Sequence, residues 1–192
     1  RSRSVPLQFD CSFRIPHVDR DASGLTLHRE TGHLWVVVDE PERLVEFTDE
    51  GEFVSEVELE GFKDTEGLCH LGGDCFAIAE ERKMRITLVE IPRGTTKIND
   101  DGPRIDLDEQ ARENKGLEGL AYDSETDTLY TVREDKPPAV FRIRPLMTDL
   151  DRQITSLPLD LHGLDDLSDL FFDSSTGWLW LLSHEECVDD EV

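Results

Sequence analysis

The chain repeats one strand-turn-strand pattern four times. The copies start at Gly24, Gly67, Gly119 and Asp169, which are separated by 43, 52 and 50 residues. In the third copy, the apolar run 119–122 leads into turn residues 123–127, whose side chains can bond their own backbone. A second β-prone run, 129–132, follows the turn. Periods of about 40–50 residues built from short strands predict the four-stranded antiparallel blades of a β-propeller.

The distribution of apolar residues favours the same all-β architecture. Runs 35–38 and 179–182 are apolar without alternation, so both faces of these strands must be covered. In a propeller, each blade is packed between two neighbours, which provides that cover. Run 53–60 alternates between apolar and acidic residues, as a half-solvated outer strand should. A β-sandwich also contains short strands between turns, but it does not explain why one motif returns in the same place.

The repeats predict a single propeller domain over residues 7–192, preceded by a disordered segment, 1–6. Full blades are expected at 24–59, 67–107 and 119–161, and half a blade from residue 170 onward. Residues 7–15 are predicted to form an additional outer strand. Three blades plus half a fourth make an incomplete ring, since propellers contain about 4–8 blades. We therefore expect a C-terminally truncated chain rather than a ring that another molecule completes.

The charge of the chain excludes some partners. Its 44 acidic and 20 basic residues give a net charge of −24. Nucleic acid is not expected as a partner, because its binding requires a basic surface. Membrane insertion is not expected either, since no apolar run approaches the required ~18 residues.

The acids are spread along the chain, and only five of the bases are lysines. Halophilic proteins use such self-repelling surfaces to stay soluble. We therefore predict that the protein unfolds when salt is removed. A melting temperature that does not change with salt concentration would reject this hypothesis.

The four cysteines are predicted to be free thiols. Cys11, Cys69, Cys75 and Cys187 lack the Cys-x-x-Cys spacing of metal sites. If residues 72 and 73 form a two-residue hairpin turn, Cys75 lies opposite His70 and Cys69 lies opposite Phe76. The two cysteines would then point to opposite faces of the sheet and could not form a disulfide.

The residue before each repeat start opens the innermost strand of a blade, at the mouth of the central channel. Equivalent positions on successive blades converge on the propeller axis. The residues at these positions are Ser23, Glu66, Glu118 and Ser168, with Asp169 beside the last. Converging oxygen ligands without His or Cys suit Ca²⁺, so we predict a calcium site here. In the alternative interpretation, each acid bonds the backbone amides of its own turn.

A second set of polar residues ends the second strand of each repeat. It comprises Asp39, Glu80, Glu134 and His184. The repetition indicates a structural role, in which the side chains accept backbone N–H groups in the turn between the second and third strands. His184 interrupts the acidic series and is expected to be a polar rim residue rather than a catalytic base.

No motif establishes a reaction. The chain has no Gly-x-Ser-x-Gly nucleophile elbow and no His-Glu-x-x-His zinc motif. No glycine-rich phosphate loop follows a strand. Whether the protein is an enzyme therefore stays open at this stage.

Three segments carry a resemblance to a known family. Residues 114–123, 21–26 and 62–68, together with apolar strands that end in acids, resemble the SdiA-regulated family of bacterial YjiK/CarP-like β-propellers. The likeness extends over residues 7–186. It implies a propeller of roughly six blades, an extracytoplasmic, cell-envelope location, and links to calcium and to phytase-like phosphoesterases.

Three functions are compatible with these observations. The first is a metal-assisted phosphoesterase in which Ca²⁺ holds phosphate oxygens. The second is a non-catalytic propeller that binds calcium or another ligand, and the third is a protein-binding scaffold without a metal. We favour a calcium-binding propeller of undefined activity, with a small phosphorylated ligand or a protein partner on the channel face.

Overall fold

The computed structural model describes residues 12–15, 17–107, 116–134, 138–148, 151–159 and 166–183. All regular structure in these ranges is β, with fifteen strands. Within the same ranges, the chain has no helix long and apolar enough to cross a membrane.

The strands form three complete antiparallel blades and one half-blade. Blade 1 contains β1 (Ala22–Leu27), β2 (Leu34–Val38), β3 (Arg43–Phe47) and β4 (Phe53–Glu60). Blade 2 contains β5 (Thr65–Gly72), β6 (Cys75–Glu80), β7 (Arg85–Glu90) and β9 (Arg104–Asp106). Blade 3 contains β10 (Leu117–Asp123), β11 (Thr128–Arg133), β12 (Ala139–Arg144) and β13 (Gln153–Ser156). Half-blade 4 contains β14 (Leu167–Asp173) and β15 (Trp178–Ser183). This arrangement is the predicted incomplete ring.

The repeated glycine is explained by the close approach of successive inner strands. A Cβ atom at Gly24 would lie 2.7 Å from the carbonyl oxygen of Glu66 on the next blade. A Cβ atom at Gly67 would overlap the carbonyl oxygen of Glu118, and one at Gly119 would overlap the side chain of Asp169 in half-blade 4. Side chains are therefore excluded at Gly24, Gly67 and Gly119, and the neighbouring residues of adjacent blades are held close together.

The core lies between the blades. Strand β2 contributes Trp35 and Val37 to the cluster shared with blade 2, and Val36 and Val38 to a cluster on its other face. Both faces of β2 are therefore covered, which confirms the prediction for run 35–38. Run 179–182 differs, because Leu182 is 59% exposed and only one face of β15 packs against blade 3.

The connection between β7 and β9 contains a strand that the sequence did not predict. Strand β8 (Lys97–Asn99) pairs in parallel with β4 and extends the sheet of blade 1 to five strands. The Lys97 ammonium lies 3.4 Å from the Glu58 carboxylate and 3.0 Å from the Glu60 carboxylate. These contacts fasten a segment of blade 2 to the outer edge of blade 1.

Two further predictions need correction. Residues 12–15, the described part of the predicted outer strand 7–15, form no strand. The β5–β6 hairpin turns at residues 73–74, and a bulge between His70 and Gly72 places Cys69 opposite Ala77. Cys69 and Cys75 therefore share one face of the sheet, contrary to prediction.

The prediction that these two cysteines are free thiols is confirmed, with Cys69 buried and Cys75 half-buried. Cys11 and Cys187 lie outside the described residues.

Candidate functional site

One backbone hydrogen bond recurs at the end of each inner strand pair. The backbone N–H groups of Asp39, Glu81 and Glu134 each donate to the carbonyl oxygen of the residue just before the inner strand of their own blade. The distances are 3.0, 2.8 and 3.2 Å. These three acids are therefore structural equivalents. The predicted set was wrong in including Glu80, which lies opposite Thr65 in the β5–β6 ladder. The β5–β6 hairpin is one residue shorter than the others, so the residue equivalent to Asp39 and Glu134 is Glu81 and not Glu80.

Glu80 has a different environment from the equivalent acids. It is fully buried, and its Oε1 accepts the backbone N–H of Lys63 at 3.1 Å. The same carboxylate forms an ion pair with the Lys83 ammonium. These contacts give Glu80 a structural role in anchoring the segment between blades 1 and 2.

The equivalent acids join each blade to the next. Asp39 Oδ1 accepts the backbone N–H of Thr65 at 3.1 Å, and Glu81 Oε1 accepts that of Gly116 at 3.2 Å. The sequence predicted acceptors of backbone N–H groups, but in the turn of the same blade. In the structure, these N–H groups instead belong to residues at the start of the following blade. The second strand of one blade ends beside the start of the next blade's inner strand.

Carboxylates converge near the start of the inner strands. Single side-chain oxygens of Glu81, Glu118 and Glu134 lie within 4.8 Å of one another. Glu66 is close enough for its charge to raise the pKa of Glu118. We refer to Glu66, Glu81, Glu118 and Glu134 as the central carboxylate cluster.

Burial and mutual repulsion disfavour ionisation of this cluster. Burial raises the pKa of Glu118 to about 9, and the charges of Glu66, Glu81 and Glu134 act in the same direction. Burial also raises the pKa of Glu66 to about 7, although a hydrogen bond from the Ser23 hydroxyl opposes this shift. The pKa of Glu81 is raised for the same primary reason, burial. Without a cation, the cluster therefore retains protons near neutral pH.

The other residues of the predicted calcium site lie differently. The Ser23 hydroxyl forms a hydrogen bond with Glu66, and Ser168 is half-buried in β14. Asp169 packs against Gly119 and lines a cavity of about 480 Å³ along the inner strands. Its carboxylate accepts the N–H of Leu170 at 2.7 Å, and burial raises its pKa. His184 lies outside the described residues.

Comparison with known proteins identifies the family of this chain. The SdiA-regulated family matches residues 6–188, which is nearly the whole chain. The chain belongs to the SdiA-regulated family.

Solved structures confirm the propeller fold of this SdiA-regulated protein. Virginiamycin B lyase from Staphylococcus aureus is 16% identical, with a TM-score of 0.58 over 89% of this chain and 52% of the lyase chain. A chain of the nidogen/laminin complex is 14% identical, with a TM-score of 0.62 over 84% of this chain and 56% of that chain. The present chain thus spans about half the length of these structures, and identities this low show the fold alone.

A second group of potential ligands in the SdiA-regulated protein is explained by hydrogen bonding. His28, Glu30 and His70 lie close together, where sequence reasoning predicted no cluster. The Nδ1 atom of His70 accepts the backbone N–H of Arg29 at 3.4 Å, and its Nε2 faces the carbonyl oxygen of Gly73 at 2.9 Å. Both ring nitrogens are therefore engaged with the backbone, so the cluster connects two hairpins rather than presenting ligands to a metal.

Proposed function

We propose that this SdiA-regulated propeller binds Ca²⁺ at the central carboxylate cluster. The observation that carries the proposal is the convergence of Glu81, Glu118 and Glu134 from two blades, with oxygens within 4.8 Å of one another. Calcium binds oxygen at 2.3–2.6 Å, so two of its ligands are at most about 5 Å apart. One ion could therefore contact all three carboxylates with the backbone unchanged.

The chemistry of the cluster also suits calcium. Its four members offer only carboxylate oxygens, whereas zinc sites are built mainly from His and Cys. Calcium accepts irregular sets of six to eight oxygens, including backbone carbonyls and water. A bound cation would offset the repulsion that raises the pKa values of Glu66 and Glu118.

The surroundings of the cluster favour binding over catalysis. A phosphoesterase site needs cationic side chains directed at the phosphate as well as a metal. Among the described residues near the cluster, the Arg82 guanidinium lies 3.2 Å from the Asp64 carboxylate, and Arg133 lies over the Phe141 ring at 5.7 Å. We therefore propose a calcium-binding propeller in which phytase-like hydrolysis is the less favoured function.

We further propose an extracytoplasmic, cell-envelope location and a partner on the channel face. Extracellular calcium sites have Kd values of about 10⁻⁴–10⁻³ M, which suits a half-buried site of few carboxylates. A bound ion could take its remaining ligands from a small phosphorylated molecule. A carboxylate of a protein partner is the alternative ligand.

Isothermal titration of the chelator-treated chain with calcium tests the proposal. We expect one ion per chain with a Kd of about 10⁻⁴–10⁻³ M. Glu118→Gln and Glu81→Gln should each weaken binding by about 100-fold, because each removes a charged ligand. Glu50→Gln is the matched control, since Glu50 is an exposed turn residue of blade 1. Absence of binding heat, together with a melting temperature that calcium does not change, would contradict calcium binding.

A separate assay addresses hydrolysis. The rate on a generic phosphoester in calcium is expected to equal that of the buffer. A calcium-dependent rate that is lost in Glu118→Ala would instead establish the phosphoesterase function. The two assays distinguish a binding protein from an enzyme at the same site.

A further inference from the structure

Blade 2 has a gap in its outer edge. Strand β9 pairs with β7 only opposite Arg85, Ile86 and Thr87. The preceding segment, β8, pairs with blade 1 instead. Among the described residues, no strand therefore pairs with the second half of β7 on its outer side. The N–H of Leu88 donates one hydrogen bond there, to the carbonyl oxygen of Pro103 at 2.9 Å.

A cavity of about 460 Å³ occupies this gap, and we call it the inter-blade cavity. Its apolar wall comes from blade 2, the β8 connection and blade 3, through Leu71, Leu88, Ile98, Leu146 and Met147. Cavities of about 300–1,000 Å³ hold small organic ligands. None of the lining residues belongs to the central carboxylate cluster.

The wall of the inter-blade cavity is held in place by specific contacts. The N–H of Met147 lies 3.2 Å from both carboxylate oxygens of Asp127. A Cβ atom at Gly102 would overlap the carbonyl oxygen of Leu88, so glycine allows the connection to approach β7 closely. These contacts indicate a preformed cavity rather than a loose surface depression.

The charged groups of the cavity select one class of ligand. The residues that line the cavity include two acids, Glu90 and Asp101, and one base, Arg152. The Arg152 guanidinium already donates to the carbonyl oxygens of Pro145 and Leu146, at 3.3 and 2.6 Å. The Glu90 carboxylate lies close enough to Cys75 for its charge to contribute to the raised pKa of the thiol, after burial.

We infer that the inter-blade cavity binds a small apolar molecule that carries one ammonium group. The apolar part would lie against Leu71, Leu88 and Ile98. The ammonium would lie near Glu90 and Asp101 at the exposed rim. Charge complementarity excludes apolar carboxylic acids as good ligands, because they would meet the same two acids. This site and the proposed calcium site are independent, since they share no residue.

The half-buried thiol of Cys75 lines the cavity and provides a direct probe. In a Cys11→Ser, Cys187→Ser background, alkylation of Cys75 by iodoacetamide would be timed with three phenylalkyl ligands of similar length. These are 4-phenylbutylamine, 4-phenylbutanol and 4-phenylbutyrate. We expect the amine to slow alkylation saturably, with a Kd at least about tenfold below those of the alcohol and the acid.

Two variants separate the contributions of charge and shape. Glu90→Gln combined with Asp101→Asn should bring the Kd of the amine to that of the alcohol. Met147→Trp, at a half-exposed lining position, should fill the cavity and weaken both ligands. Saturation-transfer NMR on the ligands gives a readout independent of thiol reactivity. Equal protection by amine and acid, protection that survives Met147→Trp, or no binding of any of the three ligands would each overturn the inference.

Discussion

Gly67→Ala is expected to lower the free energy of unfolding by about 3 kcal/mol, at the upper end of the usual cost of overpacking. The new Cβ atom would overlap the carbonyl oxygen of Glu118 and lie 3.0 Å from both the Ala79 Cβ and the Leu120 Cγ. The nearest atom is a backbone oxygen of the next blade, which cannot move aside as the end of a flexible side chain could. Urea unfolding followed by tryptophan fluorescence measures the loss.

Gly94→Ala is the matched control. Gly94 has a φ of +89°, and a Cβ atom there would meet nothing within 4 Å. Its substitution therefore costs only the backbone strain of a left-handed residue, about 1 kcal/mol. Equal losses in the two variants would show that β5 and β10 are not closely apposed. The convergence of Glu66 and Glu118 depends on that apposition.

The blade architecture could be predicted from the sequence, because the residues that produce each hairpin are close together in the chain and recur in every repeat. Glycine or Asp169 stands at each inner-strand position, turn residues follow, and a second apolar strand closes each hairpin. The long-range pairing of β8 with β4 left no such signal. A three-residue strand with one apolar residue, Ile98, carries too little periodicity to be separated from a polar loop.

The carboxylate cluster was only partly predictable. Glu66 and Glu118 follow from the repeat, and the structure brings them within electrostatic reach of each other. Glu81 and Glu134 also belong to the cluster, because second strands of two blades end beside the start of the inner strand that contains Glu118. This packing between blades cannot be read from the repeat. Hairpin length also matters. Because the β5–β6 hairpin is one residue shorter than the others, Glu81 rather than Glu80 lies at the position equivalent to Asp39 and Glu134.

In chelator, Glu118→Gln is expected to make the protein more stable than the wild type at pH 9 and equally stable at pH 4. The pKa of Glu118 is raised from its ordinary value of 4.5 to about 9, mainly by burial. Below pH 4.5, the carboxyl is protonated in both the folded and the unfolded chain. As the pH rises, the unfolded chain loses this proton first, so wild-type stability falls until the folded carboxyl ionises near pH 9. Glu66 adds a smaller loss between pH 4.5 and about 7.

We expect the difference between the variant and the wild type to reach about 2 kcal/mol at pH 9, since water screens part of the repulsion at the half-buried cluster. Urea midpoints at pH 4, 7 and 9 measure it, with Glu50→Gln as the exposed control. A Glu118→Gln variant that is less stable than the wild type in chelator at pH 9 would show that Glu118 forms a stabilising contact instead.

Calcium should reverse this order if the cluster is its site. Binding to the folded chain alone stabilises the wild type by about 2.7 kcal/mol once free calcium reaches about 100 times Kd. Glu118→Gln lacks one charged ligand. With a Kd about 100-fold weaker, it gains only about 0.4 kcal/mol at the same calcium concentration, so in calcium the wild type becomes the more stable protein at pH 8. A merely structural Glu118 would leave the order of the two proteins the same in chelator and in calcium. The reversal therefore distinguishes a carboxylate that binds the cation from one that only packs between blades.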